Sequence, residues 1–353
     1  MKARYHEIAD LLEKEIPKML SRGETKLPSE PDLCEIYACS RQTVRSALAV
    51  LFDKGHIVKH KGSGTYINVN SSKGKILLVL PRGSEYVFHG IKQYTTNYFS
   101  SKGIEVLCIS TDNRILKERK ILTESLENPP AGIIIYQSGN ANLGINNNLL
   151  EALVNKNVPI VSLCKGDNMP KGIVSISADI MTGAYAMAEK LCSNGAKKIK
   201  AILPISATQS TEQMKGIFKA SLKNQTEFEE NDVVWLSDNE IGDILNSDYR
   251  TLQEKLRPLL SPGTALFCGN DEIAYHVTKL LSRHGFNIPD DIQVSGFDNS
   301  YYCTNVSPTI SSVGCEPDAH ISAACRTLLN IITGREAQNQ TINMNMFARR
   351  STK

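Results

Sequence analysis

Apolar positions recur along the chain with two periods, and the points where one gives way to the other divide it. In residues 4–20, Tyr5, Ile8, Ala9, Leu12, Ile16 and Met19 fall on one face of a helix. Pro17 removes a backbone donor there, which predicts a kink or an early end. Two shorter helical patterns follow. Ser29 is placed to cap the first, with Asp32 three positions on as in a capping box, and Leu33, Ile36 and Tyr37 form its apolar stripe. Ser40 caps the second, whose stripe is Val44, Leu48, Leu51 and Phe52. Residues 56–60 then alternate like a strand, residues 61–64 carry Gly62 and Gly64 as a turn, and residues 65–69 return. Residues 1–69 therefore read as a winged helix-turn-helix, followed over 70–75 by a polar stretch without periodicity that reads as a linker.

From residue 76 onward, short apolar runs alternate with helical patterns. Runs at 76–80, 105–109, 132–136 and 159–163 are separated by helices near 87–102, 114–127 and 147–156. A second series has runs at 173–176, 198–203, 232–236, 264–268 and 292–295, with helices near 180–193, 211–223, 249–259 and 272–285 between them. Continuous apolar runs joined by helices argue for parallel sheets covered on both faces. Two such series predict a two-lobed, doubly wound parallel α/β domain over 76–353, with lobe 1 at about 76–174 and 299–326 and lobe 2 at about 175–298 and 327–353. Ligands of open α/β sheets bind beyond the carboxyl ends of the strands, so facing lobes would hold one between them. The fold class is multidomain α/β.

Composition narrows this picture little. The net charge of +3 is small, but between residues 41 and 61 Arg41, Arg45, Lys54, Lys59 and Lys61 stand against Asp53 alone, a local basic footprint suited to nucleic acid. The nine cysteines contain no C-x-x-C pair and mostly sit in apolar contexts, as reduced thiols of a cytosolic protein do. The first residues mix both charges too early for a signal peptide, and no run approaches a membrane span, so the cytoplasm is the expected location.

Arg41, Gln42, Thr43 and Arg45 crowd the first turn of the second short helix, where a helix N-terminus already attracts phosphate. Together with Leu27, Pro28, Ser29, Glu30, Leu33, Ser40, Val44, Leu48, Gly55, Gly62, Gly64 and Thr65, they make residues 4–67 resemble the DNA-binding head of GntR-type bacterial regulators. The resemblance implies that Arg41, Gln42, Thr43 and Arg45 enter the major groove, with Glu30 beside them, while Lys61, Gly62 and Gly64 of the wing reach the minor groove or its phosphates. Pro31 stands where that family usually has arginine, so one phosphate contact is expected to be missing.

Residues 75–335 resemble the effector domain of LacI/GalR-type regulators, related to periplasmic sugar-binding proteins. Gly132, Asn157, Pro159, Asp179, Gly183, Gly216, Gly269, Asn270, Asp271, Ala274, Gly285, Pro289, Gly296, Asp298, Pro308 and Val313 carry much of that likeness. The two halves joined are similar to the arabinose-repressor (AraR) group of hybrid regulators. A sugar pocket needs amides and carboxylates for hydroxyls and rings for pyranose faces. Asn270 and Asp271 follow a strand end, and the resemblance assigns Asp271 to ligand hydroxyls, with helix capping as the other reading. Gln213 replaces an arginine that such regulators usually carry, which weakens an acidic-ligand reading. Ser84 replaces an aromatic, leaving Tyr86, Phe88 and Tyr136 as candidate stacking rings. Asp179 and Asp298 follow strand ends near the cleft or the lobe crossovers, where backbone capping is the alternative; Tyr301 and Tyr302 are candidates for the cleft wall, and Trp235 reads as core.

These residues predict a sugar-responsive repressor of carbohydrate-utilisation genes, binding palindromic operator DNA as a homodimer and released by a small sugar such as L-arabinose. A non-sugar effector is the alternative. An enzyme is disfavoured, because the chain has no G-x-G-x-x-G after its first core strand, no P-loop, no nucleophile elbow and no histidines at metal-ligand spacing, and no cofactor is expected. A transport binding protein would need a signal peptide and no DNA-binding head.

Overall fold

The computed structural model describes residues 4–22, 24–54, 56–60, 63–67, 75–81, 87–139, 144–164, 169–205, 209–316 and 318–352. Helix α1 (Arg4–Ser21), α2 (Glu30–Tyr37) and α3 (Arg41–Asp53) are followed by an antiparallel pair, β1 (Ile57–His60) and β2 (Gly64–Ile67), in the register Ile57 to Ile67. The chain between α1 and α2 pairs with β2, through Leu27 N donating to Thr65 O at 2.9 Å and Ile67 N to Thr25 O at 2.8 Å. The early end expected at Pro17 does not occur, since α1 continues to Ser21. Ile16 and Met19 are buried on either side of it. Burying two such side chains gains about 1.5–3 kcal/mol each, enough to offset the roughly 3 kcal/mol that an interior proline costs.

Both predicted caps are present. Ser29 Oγ accepts from Asp32 N while Asp32 Oδ2 accepts from Ser29 N at 3.0 Å, and Ser40 Oγ accepts from Thr43 N at 3.2 Å. The head core gathers Ile8, Leu12, Leu33, Val44, Leu48, Leu51, Ile57 and Ile67. Two members of the predicted stripes stay outside it: Ile36 is 61% and Phe52 50% exposed. Each lies at the edge of a stripe wider than the face its short helix turns inward.

The first lobe is a six-stranded sheet in the order β13-β7-β6-β5-β3-β4, formed by β3 (Ile76–Leu80), β4 (Val106–Ser110), β5 (Gly132–Ile135), β6 (Ile160–Ser162), β7 (Val174–Ala178) and β13 (Gln340–Ile342), with every pair parallel. Side chains alternate across β3. Ile76, Leu78 and Leu80 join Phe99 of α4 (Val87–Ser100) and Leu328 of α12 (Ala319–Ile332) on one face. Leu77 and Val79 join Leu122 of α5 (Ile115–Glu127) and Leu150 of α6 (Asn147–Asn155) on the other.

The second lobe is a parallel sheet in the order β11-β10-β8-β9, formed by β8 (Lys198–Pro204), β9 (Val233–Leu236), β10 (Thr264–Cys268) and β11 (Gln293–Ser295). Helices α7 (Ile180–Ser193) and α8 (Gln209–Asn224) cover one face. Helices α9 (Asp238–Leu245), α10 (Arg250–Leu256) and α11 (Asp271–Arg283) cover the other. A short antiparallel pair, β12 (Ser312–Gly314) with β14 (Asn345–Phe347), lies against α7.

The lobe limits differ from those expected. Strand β7 belongs to the first sheet, which extends that segment to 178. All of α12 packs on β5, β6 and β7, and β13 pairs with β7, so the returning segment of lobe 1 is 319–342 where 299–326 was expected. Ile321, Ala324, Cys325, Leu328 and Leu329 are buried along one continuous helix, so a division at 326 would cut a single apolar face. Lobe 2 thus runs over 180–316 and resumes at β14. The expected linker at 70–75 lies outside the described residues except for Lys75.

Candidate functional sites

The first site is the outer face of the head. Arg41, Gln42 and Arg45 are exposed on the first turns of α3, as a surface that approaches a duplex requires. Thr43 is engaged locally, its Oγ1 2.8 Å from Ser40 Oγ, and serves the cap. Glu30 opens α2 and accepts from Arg45 Nε at 2.9 Å, holding that guanidinium across the helix-turn-helix. Lys61 and Gly62 lie outside the described residues. Gly64 has φ +121, and a Cβ there would stand 2.9 Å from Lys26 Cε, so both backbone and space favour glycine. The basic footprint is smaller than the sequence count. Glu13 of α1 accepts from Lys54 Nζ at 2.6 Å and pairs with His56 Nε2 at 3.0 Å; the Lys54 bond holds the Glu13 carboxyl below its usual range and raises Lys54. Among the described residues Arg41 and Lys59 are exposed, as is Arg45 in its ion pair with Glu30.

The second candidate site takes residues that follow carboxyl ends of strands in each of the two sheets. Tyr136 follows β5, its backbone N donating to Val79 O at 2.9 Å, and its ring is half-buried. Burial pushes its phenol well above the usual range, with Cys164 and then the Asp298 carboxylate adding to the shift. Tyr136 belongs to the first lobe and Asp298 to the second, so two expected site residues stand near each other across the lobes.

Asp298 and Asn299 adopt φ +97 and +51, a left-handed turn that costs about 1–3 kcal/mol per strained residue and persists only when held. Several bonds hold it. Asp298 N donates to Val313 O at 2.6 Å, Asn299 N to Ser312 Oγ at 3.0 Å and Ser300 N to Asp271 Oδ2 at 2.6 Å. Arg349 Nη2 donates to Asn299 Oδ1 at 2.6 Å while its Nη1 reaches Ile310 O at 2.9 Å.

Asp271 is not the cap of its helix, and its carboxylate is turned inward. It is 0% exposed, and its second oxygen accepts from Ser312 Oγ at 2.5 Å. A Cβ on Gly296 would meet Asp271 Oδ1 at 2.2 Å, so the carboxylate lies directly beneath the turn and anchors it. Burial raises its pKa from 3.8 to about 6 against the opposing pull of the bonds from Ser312 and Ser300. The cap of α11 is Asn270, whose Oδ1 accepts from Ile273 N at 2.8 Å and whose side chain is only partly buried.

Gln213 is also fully buried rather than presented at a surface. Its Nε2 donates to Gly269 O at 2.8 Å, beside a second bond from Gln209 Nε2 at 3.1 Å, and its Oε1 has no partner. Both glutamines thus support the backbone just before Asn270. Asp179 takes the capping role, accepting from Thr182 N at 3.2 Å where the chain enters lobe 2. Trp235 packs against the core of lobe 2. Tyr302 donates to Glu272 Oε1 at 2.8 Å and stacks with Tyr301 at 4.3 Å, which ties both rings to the flank of α11. Ser84 and Tyr86 lie outside the described residues, as does the side chain of Phe88. Arg349 was not singled out from the sequence, and Ser312 entered only as part of the family likeness at 311–313; a lone arginine carries no periodic signal.

Among the described residues no three His, Cys, Asp or Glu side chains gather as a metal site, and no helix is long and apolar enough to cross a membrane. All nine cysteines carry free thiols.

Comparison with known proteins matches the chain in two separate parts. Residues 4–67 match the bacterial regulatory proteins of the gntR family, and residues 188–352 match the periplasmic binding protein-like domain. The arabinose metabolism transcriptional repressor of Geobacillus stearothermophilus is 24% identical over 298 residues, covering 83% of this chain and 81% of that protein. The structure of the transcription regulator CcpA of Lactococcus lactis superposes with a TM-score of 0.67 at 24% identity, over 80% of this chain and 100% of that one. A periplasmic binding protein/LacI transcriptional regulator from Alkaliphilus metalliredigens, complexed with D-xylulofuranose, gives 0.65 at 20% identity over 79% of this chain and 100% of that one.

Proposed function

The chain is a bacterial transcriptional regulator, a GntR-family head joined to a periplasmic-binding-protein-like domain, and from that premise we propose that it is a sugar-responsive repressor of carbohydrate-utilisation genes. It acts in the cytoplasm, binds palindromic operator DNA as a homodimer and is released by a small free sugar, with L-arabinose the first candidate. The observation that carries this reading is the pairing on one chain of an exposed, basic α3 terminus with a two-lobed domain in which Tyr136 and Asp298 stand near each other.

In this reading Arg41, Gln42 and Arg45 meet base edges and phosphates, and the wing around Lys61, Gly62 and Gly64 meets the neighbouring backbone. Asp298 and the Nδ2 of Asn270 bond sugar hydroxyls, and Tyr136 offers its ring or its phenol. Asp271 and Gln213 act one layer below, fixing the backbone that carries Asp298 and Asn270. Binding draws the lobes together and changes the spacing of the two heads, whose half-sites sit one or more helical turns apart.

A thermal-shift screen against pentoses, hexoses and their phosphates tests the proposal. Ligand at one hundred times its dissociation constant adds about 2.7 kcal/mol. A shift with one free aldose, followed by release of operator DNA at the same concentration, is the expected result. No shift with any sugar in folded protein overturns the carbohydrate reading, and release by a non-sugar metabolite instead identifies the alternative effector class.

A further inference from the structure

A buried polar cluster in the first lobe contains none of the residues assigned to the sugar. Glu118 of α5 is 2% exposed, and its two oxygens accept from neutral donors, Ser138 N at 2.5 Å and Asn146 Nδ2 at 2.8 Å. Among the described residues no lysine, arginine or histidine pairs with it. Gln137 and Asn146 are 4% and 3% exposed, and their side-chain oxygens, Gln137 Oε1 and Asn146 Oδ1, have no hydrogen-bond partner. These three residues line one cavity of about 10 Å³ together with Ile115, Ser138, Gly144 and Ile145. The cavity has room for a single particle the size of a water molecule.

The lining decides what that particle is. Two amide oxygens and a buried carboxylate all call for a positive partner, and among the described residues no cationic side chain supplies one. A neutral water donates only two hydrogen bonds, too few for the two amide oxygens and the carboxylate together. With one carboxylate and amide oxygens as ligands, and no second acid or soft ligand beside them, the chemistry suits a hard cation of single charge. We propose that Glu118, Gln137 and Asn146 form a monovalent-cation site for sodium or potassium. The ion joins α5 to the segment leaving β5 and to the residue before α6, so it stiffens the chain directly after Tyr136. The site does not depend on which effector the protein takes.

The test uses the full chain at constant ionic strength and chloride concentration, in sodium, potassium or choline chloride. Sodium or potassium is expected to raise Tm by about 5 °C over choline, with saturation as the ion is titrated in. Glu118→Gln should abolish that response. Because this variant can also weaken folding, Gln137→Leu provides a second reading: removing an unpartnered buried oxygen should leave Tm in choline unchanged or higher while the cation response disappears. Crystals of the unaltered protein soaked in thallium(I) acetate should give an anomalous peak between Glu118, Gln137 and Asn146. Equal Tm in the three salts, a response retained by both variants, or no thallium peak at that position would each overturn the proposal.

Discussion

Asp271→Asn tests whether the carboxylate beneath the Asp298 turn is buried and charged as the geometry implies. The folded-state pKa is about 6 against 3.8 for the free group. The folded protein therefore holds this proton more tightly than the unfolded chain does. Stability from this group is fully present below pH 3.8 and is lost as pH rises through about 6, since ionising a group with no exposed surface is disfavoured. A gap of about two pKa units corresponds to roughly 3 kcal/mol, of which about 2 kcal/mol falls between pH 4.5 and pH 7. Asparagine removes the titration but keeps one acceptor for Ser300 N, while the Ser312 hydroxyl can turn to accept from the new amide; the lost charged bonds cost about 1–2 kcal/mol at every pH. The stability of the variant minus that of the unaltered protein should thus rise by about 2 kcal/mol across that range. Trp235 is the only tryptophan of the chain and packs in the second lobe, so urea unfolding followed by its fluorescence reads the correct unit. A difference that stays constant from pH 4.5 to pH 7 would refute the reasoning.

Other perturbations separate the remaining parts. Gly216→Ala would place a Cβ 2.5 Å from Met181 O and 2.7 Å from Tyr185 N, both backbone, and should cost about 3 kcal/mol by forcing α7 and α8 apart, read as a lower urea midpoint at Trp235. Arg349→Met removes the bonds to Asn299 Oδ1 and Ile310 O and should weaken effector binding about tenfold, or 1.4 kcal/mol, in calorimetry while operator affinity without effector is unchanged. Arg41→Ala should weaken operator binding by about 1–3 kcal/mol and lower the slope of log K against log salt by about 1, with effector affinity unaltered. Glu30→Gln breaks an exposed ion pair and should change head stability by less than about 1 kcal/mol, so a larger change in operator affinity would identify Glu30 as an orienting partner of Arg45.

The head was legible in the sequence because its signals are local. Ser29 with Asp32, and Ser40 with Thr43, announce helix starts through bonds spanning three residues, and the alternation on either side of Gly62 and Gly64 announces the wing. The parallel strands were legible for a similar reason, as a strand buried on both faces must be apolar throughout. The final fifty residues were not. Helix α12 and strand β13 return to the first lobe, and among the described residues β12 and β14 form a two-stranded sheet of their own, so their partners lie more than thirty residues away or in the other series. Helix α9 was missed because its eight residues offer little more than Ile241 and Ile244 as an apolar stripe. At Asp271 the limit is finer. Sequence places a carboxylate on the first turn of α11, but whether it faces the cleft or the interior depends on the path of residues 296–300 above it.

That path bears on how an effector could act at a distance. The chain passes between the lobes at Asp179, again between β12 and α12, and again between β13 and β14. The Asp298 turn is bonded to two of these passages: Val313 and Ser312 belong to the second, and Arg349 follows the third. A ligand that grips Asp298 therefore pulls on the segments that must bend if the lobes close, through a turn whose left-handed backbone already stores strain. The energy required is large on the scale of one sugar. Moving a two-state regulator from 99% in one form to 99% in the other takes a differential affinity of about 5.5 kcal/mol, shared over the sites of an oligomer. Two or three charge-assisted hydrogen bonds made only in the closed form, at about 1.5–3 kcal/mol each, reach that figure. Linkage then requires that operator DNA weaken the effector by the same factor. Calorimetric titration of the effector into protein with and without its operator should show that loss, and equal affinities in the two titrations would break the connection between the Asp298 turn and the DNA-binding head.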